Sequence, residues 1–115
     1  MTKRITETFA NKEKKLVTFV TGGDPNLESS KEIIKILAEN GSDIIEIGMP
    51  FSDPMADGPT IQLSSNRAIK NGIDLDGIFS ICKNFRKFNN DIPLILMGYY
   101  NIIFHYGVKN FVNEC

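Results

Sequence analysis

Three short apolar runs recur along this sequence, and each is followed by a turn and then by a helical pattern. Apart from Glu46, the apolar residues within them are nearly continuous rather than alternating with polar ones; the runs are Leu16–Val20, Asp43–Met49 and Ile92–Tyr99. Strands of this kind are buried on both faces, as in a parallel sheet covered by helices. The sequence therefore predicts an α/β fold built from successive strand–helix units.

Helical spacing of apolar residues fills the intervals between the predicted strands. The predicted helices cover residues 26–40, 61–70, 74–88 and 106–115, and a charged N-terminal helix with few apolar anchors covers residues 4–15. Gly41 stands where a helix often ends in a left-handed residue. Thr60 is the predicted N-terminal cap of the helix over 61–70.

The length of 115 residues fits a single domain over 1–115. Three strands cannot close an eight-stranded (β/α)8 barrel, which needs about 250 residues. If the sheet belongs to such a barrel, the chain is therefore an incomplete N-terminal portion of it, with an N-terminal helix and the first three βα units.

Composition excludes several classes of partner. The net charge of −1 provides no basic face for nucleic acid, and no apolar run approaches the ~18 residues that a membrane span needs. Cys82 and Cys115 lie far apart and the chain has a single histidine, so no metal site is expected. The two cysteines are either reduced thiols or a disulfide, and reduced thiols in a cytoplasmic protein are the favoured interpretation.

Glu46 interrupts the second predicted strand, two residues before Gly48. Since side chains alternate along a strand, Ile44, Glu46 and Gly48 share one face. An unpaired carboxylate inside an apolar strand is costly, so Glu46 is either a member of a structural ion pair or a functional group. The missing side chain of Gly48 leaves space for a ligand at the carboxyl end of the strand, where parallel α/β folds place catalysis.

The loop over residues 50–59 carries two more acids, Asp53 and Asp57, among three prolines. Both can be turn formers whose side chains bond nearby backbone amides. Alternatively, an acid on this loop can face the strand carboxylate across a small substrate, so that one moves protons while the other holds a polarised N–H or O–H. The loop residues by themselves leave both interpretations open.

Taken together, three segments resemble the tryptophan synthase alpha chain family. They are Phe19–Pro25, Ile45–Gln62 and Leu96–Asn101, and the resemblance spans essentially the whole chain in order and with the family's spacing. Ile102 stands where many members have proline, a departure away from the chemistry.

The resemblance implies a retro-aldol cleavage of indole-3-glycerol phosphate to indole and glyceraldehyde 3-phosphate, without a cofactor or metal in this subunit. It implies that Glu46 is the general acid/base between the glycerol hydroxyl and the indole C3. Asp57 would accept a hydrogen bond from the indole N–H and stabilise the positively polarised ring. Phe19, Met97 and Tyr99 would line the indole pocket.

The same resemblance implies a cytoplasmic lyase of tryptophan biosynthesis that works in an α2β2 complex. Asp53 and Pro54 would face the beta subunit, a pyridoxal-phosphate enzyme that receives indole. Strands four to eight and the family's phosphate-binding glycines have no counterpart in these 115 residues. The expectation is therefore that the chain has no useful activity alone.

Two other functions stay open on sequence grounds. One is a phosphate-binding barrel lyase or isomerase acting on a different sugar phosphate, although such enzymes lack the Pro50–Pro59 motif. The other is a non-catalytic half-barrel fragment that binds the beta subunit or self-associates.

Overall fold

A computed structural model describes residues 3–115, so that residues 1 and 2 of the predicted domain lie outside the described residues. Each strand in this range is followed by one or two helices. In chain order they are α1 (Lys3–Thr8), β1 (Val17–Thr21), α2 (Leu27–Glu39), β2 (Ile44–Gly48), α3 (Pro59–Lys70), α4 (Leu75–Phe88), β3 (Leu94–Met97), α5 (Tyr100–Tyr106) and α6 (Val108–Glu114).

The three strands form one parallel sheet in the order β1-β2-β3. Phe19 on β1 pairs with Glu46 on β2, which pairs with Ile95 on β3. Two residues further on, Thr21, Gly48 and Met97 pair in the same way. The predicted parallel sheet is confirmed, and the register brings the carboxyl ends of all three strands to one edge.

The two faces of the sheet have different surroundings. Ile45 and Ile47 are fully buried, and with Ile34, Ile78 and Ile81 they belong to the core between the sheet and helices α2 and α4. On the opposite face Val17 is 48% exposed and Met97 is 53% exposed. That second face corresponds to the interior side of a barrel, and it carries Phe19 and Glu46.

Local sequence explains where α2 and α4 begin and where α2 ends. The Asn26 side chain accepts a hydrogen bond from the Ser29 amide, and the Asp74 side chain accepts one from the Gly77 amide, which caps α2 and α4. Gly41 follows α2 with φ 98°, as predicted for a residue just past a helix end. Both helices therefore begin and end within two residues of their predicted bounds.

Four predicted elements differ from the structure. The N-terminal helix ends at Thr8 rather than at residue 15, since it buries no residue and a helix without a packed face is marginal. Helix α3 begins at Pro59 after Gly58, not after a Thr60 cap, because proline suits the first helical position. The third strand is Leu94–Met97, shorter than predicted at both ends.

The fourth error concerns the C-terminal part of the chain, where the sequence predicts one helix over 106–115. Helix α6 confirms most of that range, but the structure has a further helix, α5, directly before it, and Gly107 at φ 94° separates the two. Helix α5 is missing from the sequence prediction. It packs Ile102, Ile103 and Tyr106 against the core.

Candidate active site

A cavity of about 170 Å³ lies where the carboxyl ends of the three strands meet. Its walls include the three residues predicted to line a substrate pocket, together with the predicted loop acid. These residues are Phe19, Met97, Tyr99 and Asp57. The structure therefore brings together side chains from β1, from β3, from the second residue after β3, and from the β2–α3 loop.

Gly48 forms part of the cavity wall between Phe19 and Met97. A Cβ at position 48 would lie 2.7 Å from Phe19 Cζ and 3.1 Å from Phe19 Cε2. The space that glycine leaves is thus partly taken by the Phe19 ring, which lies across the end of β2. The space predicted at Gly48 is therefore partly occupied, and an aromatic side chain forms one wall of the cavity there.

Glu46 is half-buried on β2, two residues before Gly48 and on the same face of the sheet. It does not line the cavity, and the strand rise places it roughly 6.6 Å further from the carboxyl edge than Gly48. Among residues 3–115, Glu46 takes part in none of the ion pairs. In the described part of the chain, Glu46 therefore has no ion-pair partner that would give it a structural role.

Asp57 is half-buried in the loop between β2 and α3. Its amide donates to the Pro54 carbonyl at 3.3 Å, and its own carbonyl accepts from the Gln62 Nε2 at 2.7 Å. Over the described residues its carboxylate makes no hydrogen bond to a backbone amide, the contact that a turn-forming role requires. The side chain is free to face the cavity.

Tyr99 links this loop to the sheet. Its hydroxyl oxygen accepts a hydrogen bond from the Ala56 amide at 2.8 Å. Its ring lies against Phe51, with 5.3 Å between the ring centroids. One tyrosine at the end of β3 therefore contacts the loop at both its start and its middle.

The two residues predicted to face a partner subunit lie on the outer part of the same loop. Asp53 is exposed and Pro54 is half-buried. The Asp53 carboxylate accepts from the Ser52 hydroxyl at 3.0 Å, and its carbonyl accepts from the Met55 amide at 2.9 Å. Met55 is 89% exposed, so this part of the loop projects away from the sheet.

Sequence reasoning missed the contribution of helix α3 to the cavity. Ile61 and Ser65, one helical turn apart, line it together with Thr21. The hydroxyls of Thr21 and Ser64 are 2.6 Å apart and buried, which ties α3 to the end of β1. The signal was the strand alternation, since Thr21 follows Phe19 on the same face.

Both cysteines are free thiols, as favoured from the sequence. Cys82, on α4, lies away from the cavity, and burial raises the pKa of its thiol to about 11. Residues 3–115 contain no cluster of three or more His, Cys, Asp or Glu side chains that could hold a metal ion. No helix in that range is long and apolar enough to cross a membrane.

The family described as "Tryptophan synthase alpha chain" matches residues 5–115. The chain belongs to the tryptophan synthase alpha chain family. The tryptophan synthase alpha chain of Geotalea uraniireducens is 56% identical to it over 96% of this chain and 43% of the relative. The chain thus spans less than half the length of the curated relatives that it matches.

Solved structures of the family superpose closely on the chain. The tryptophan synthase subunit alpha of Legionella pneumophila has a TM-score of 0.94 at 39% identity, over 99% of this chain and 45% of that one. A tryptophan synthase α2β2 complex from Pyrococcus furiosus contains a chain with a TM-score of 0.80 at 46% identity, over 87% of this chain and 41% of that one. The predicted fold, part of a (β/α)8 barrel, is confirmed.

Proposed function

We propose that this chain supplies the proton-transfer part of an active site that cleaves indole-3-glycerol phosphate to indole and glyceraldehyde 3-phosphate. The reaction is a lyase step of tryptophan biosynthesis. The observation that carries the proposal is the cavity at the carboxyl edge of the sheet, where Asp57 stands beside the walls formed by Phe19, Met97 and Tyr99. Membership of the tryptophan synthase alpha chain family supports it.

The cleavage needs two proton movements and one site for positive charge. Protonation of the indole C3 makes the ring nitrogen positively polarised. Removal of the proton from the adjacent glycerol hydroxyl lets its oxygen form a carbonyl as the carbon–carbon bond breaks. The electron pair of that bond moves into the ring and neutralises its positive charge, which releases indole and the aldehyde. Glu46 moves these protons, and Asp57 accepts the ring N–H hydrogen bond.

The position of the two carboxylates supports this division of roles. Asp57 lies at the cavity, whereas Glu46 lies deeper on the same face of β2. A flat apolar ring between Phe19 and Met97 would have its polar N–H toward the loop and its reacting carbon toward the strands. Apolar walls exclude water from the reacting atoms and strengthen the attraction between the carboxylate and the polarised ring.

The partner in this proposal is a beta subunit, bound in an α2β2 complex through the projecting loop that carries Asp53 and Pro54. Exposure of this loop supports an interface, as does the α2β2 complex formed by the Pyrococcus furiosus relative. This subunit requires no cofactor of its own, and pyridoxal phosphate belongs to the beta subunit.

The 115 residues alone are proposed to be inactive. They cover 43% of the Geotalea uraniireducens relative, and barrels of this type usually hold phosphate with the loops after strands seven and eight. A second candidate function is a half-barrel that associates with the beta subunit or with itself without catalysis. The exposed apolar side chains on the interior face of the sheet, such as Val17 and Met97, favour it.

The experiment compares the isolated 115 residues with a completed chain, in which residues 1–115 are followed by the remaining part of the Geotalea uraniireducens relative. Indole release is measured by a spectrophotometric assay, with beta-subunit pull-down in parallel. The completed chain should release indole, whereas the isolated chain should not. Asp57→Ala in the completed chain should lower kcat by about 100-fold, whereas the matched control Asp91→Ala, in an exposed loop, should leave it unchanged.

Three results would count against the proposal. They are turnover by the isolated chain at the rate of the completed one, no indole release by a folded completed chain, and an Asp57→Ala variant with normal kcat. Binding of the beta subunit without turnover by either chain would favour the half-barrel function.

A further inference from the structure

The backbone around Asp57 is held by three hydrogen bonds, and only one of them reaches the sheet. The Asp57 amide to the Pro54 carbonyl, at 3.3 Å, is a contact within the loop. The Gln62 side chain to the Asp57 carbonyl, at 2.7 Å, comes from the helix that follows. The Ala56 amide to the Tyr99 hydroxyl, at 2.8 Å, crosses 43 positions in sequence to the end of β3.

Tyr99 is itself well fixed. It immediately precedes α5, whose residue Ile102 donates its amide to the Tyr99 carbonyl at 3.2 Å. Its half-buried ring lies against Phe51, the third residue after the end of β2. Because both the backbone and the ring are held, the hydroxyl is a fixed acceptor rather than a mobile one.

We propose that Tyr99 is a positioning residue, whose hydroxyl fixes the Ala56 amide and thereby sets the place of the Asp57 carboxylate relative to the strands. The inference rests on the proposed function. It gives Tyr99 a role beyond lining the pocket, since lining requires only the ring and positioning requires the hydroxyl. Ala56 directly precedes Asp57, so rotation of the Ala56–Asp57 backbone swings the carboxylate. An acceptor at 2.8 Å removes that freedom.

The consequence for catalysis falls on kcat. Asp57 interacts with charge that develops during the reaction, and interactions made mainly in the transition state affect kcat more than KM. One neutral hydrogen bond contributes about 1 kcal/mol, so loss of the Tyr99 hydroxyl should lower kcat by about fivefold.

The test uses Tyr99→Phe in the completed chain, with Tyr106→Phe as the matched control. Tyr106 also makes a hydroxyl hydrogen bond, to the Asp76 carboxylate at 3.0 Å, but it lies outside the cavity. Both substitutions keep the ring and remove one hydroxyl. Steady-state kinetics of indole release should show a fivefold lower kcat and a KM within twofold for Tyr99→Phe, and neither change for Tyr106→Phe.

A double-mutant cycle with Asp57→Ala shows whether the hydroxyl acts through Asp57. In that background Tyr99→Phe should change the residual kcat by less than twofold, because there is no carboxylate left to place. The same fivefold loss in both backgrounds, or a rise in KM with normal kcat, would overturn the assignment.

Amide hydrogen exchange gives a readout that does not depend on activity. In protein labelled with ¹⁵N-alanine, the Ala56 amide should exchange several-fold faster in Tyr99→Phe than in the parent and in Tyr106→Phe. Equal rates would show that the Tyr99 hydroxyl does not fix the Ala56 amide. If the parent completed chain releases no indole, the proposed function fails, while the exchange rates still decide whether the hydroxyl fixes the loop.

Discussion

Gly48→Ala is a direct test of the cavity geometry. The added Cβ would lie 2.7 Å from Phe19 Cζ, whereas carbon atoms in contact are about 3.5–4.0 Å apart. The Phe19 ring must therefore move by about 1 Å, and it can do so because it is 38% exposed. A misplacement of about 1 Å in a substrate-positioning group costs about 100-fold in rate, so kcat/KM for indole release should fall by that factor.

The assay is steady-state indole release by the completed chain, with thermal unfolding measured on the same preparations. Gly77→Ala, on α4, is the matched control, since its Cβ would lie 2.7 Å from the end of the Ile73 side chain, away from the cavity. It should leave kcat/KM within twofold of the parent. Equal effects of the two variants, or an unchanged kcat/KM in Gly48→Ala, would show that the Phe19–Gly48 contact does not shape the site.

Further predictions concern the core, a buried thiol and the projecting loop. Ile47→Ala in the completed chain should lower the free energy of unfolding by about 2–5 kcal/mol in urea titrations, because Ile47 is fully buried; a loss below 1 kcal/mol would contradict the assigned core. Since burial raises the pKa of Cys82 to about 11, its thiolate fraction at pH 8 is about 0.001. Its alkylation by iodoacetamide should be about 100-fold slower in the folded protein than in concentrated urea, and equal rates would contradict its burial. Asp53→Lys should weaken beta-subunit binding in calorimetry without changing indole release by the completed chain alone, and unchanged affinity would place the interface elsewhere.

The Cys82 thiol also predicts how the stability of the folded chain changes with pH. The folded chain keeps the Cys82 proton up to a pH of about 11, whereas the ordinary thiol pKa is 9.0. The resulting stabilisation is fully present below pH 9 and is lost as pH rises through the folded pKa. Cys82→Ser should therefore flatten the fall in stability over this alkaline range.

The parallel sheet and its cover of helices could be predicted from the sequence because buried strands are continuous in apolar residues. Alternation along β2 also placed Glu46 and Gly48 on one face and Ile45 and Ile47 on the other. The structure has Ile45 and Ile47 in the core cluster and Gly48 at the cavity. These features depend on neighbours one or two positions away. They are therefore encoded locally.

The missing features depend on contacts between distant segments. The Tyr99 hydroxyl and the Ala56 amide are 43 residues apart, and no local sequence pattern predicts their hydrogen bond. The buried Thr21–Ser64 pair is of the same kind. Helix α5 escaped prediction because its seven residues lie between a strand end and Gly107, too short for a clear apolar period.

In the proposed mechanism Glu46, on the interior face of β2, moves the protons. This role is tested most directly by kcat for indole release in Glu46→Gln of the completed chain, measured beside the affinity for a non-cleavable indole-3-alkyl phosphate. General acid–base catalysis contributes about 100- to 10,000-fold, so kcat should fall by at least about 100-fold with analogue affinity and unfolding temperature unchanged. A normal kcat, or a Glu46→Gln chain that fails to fold, would contradict the account.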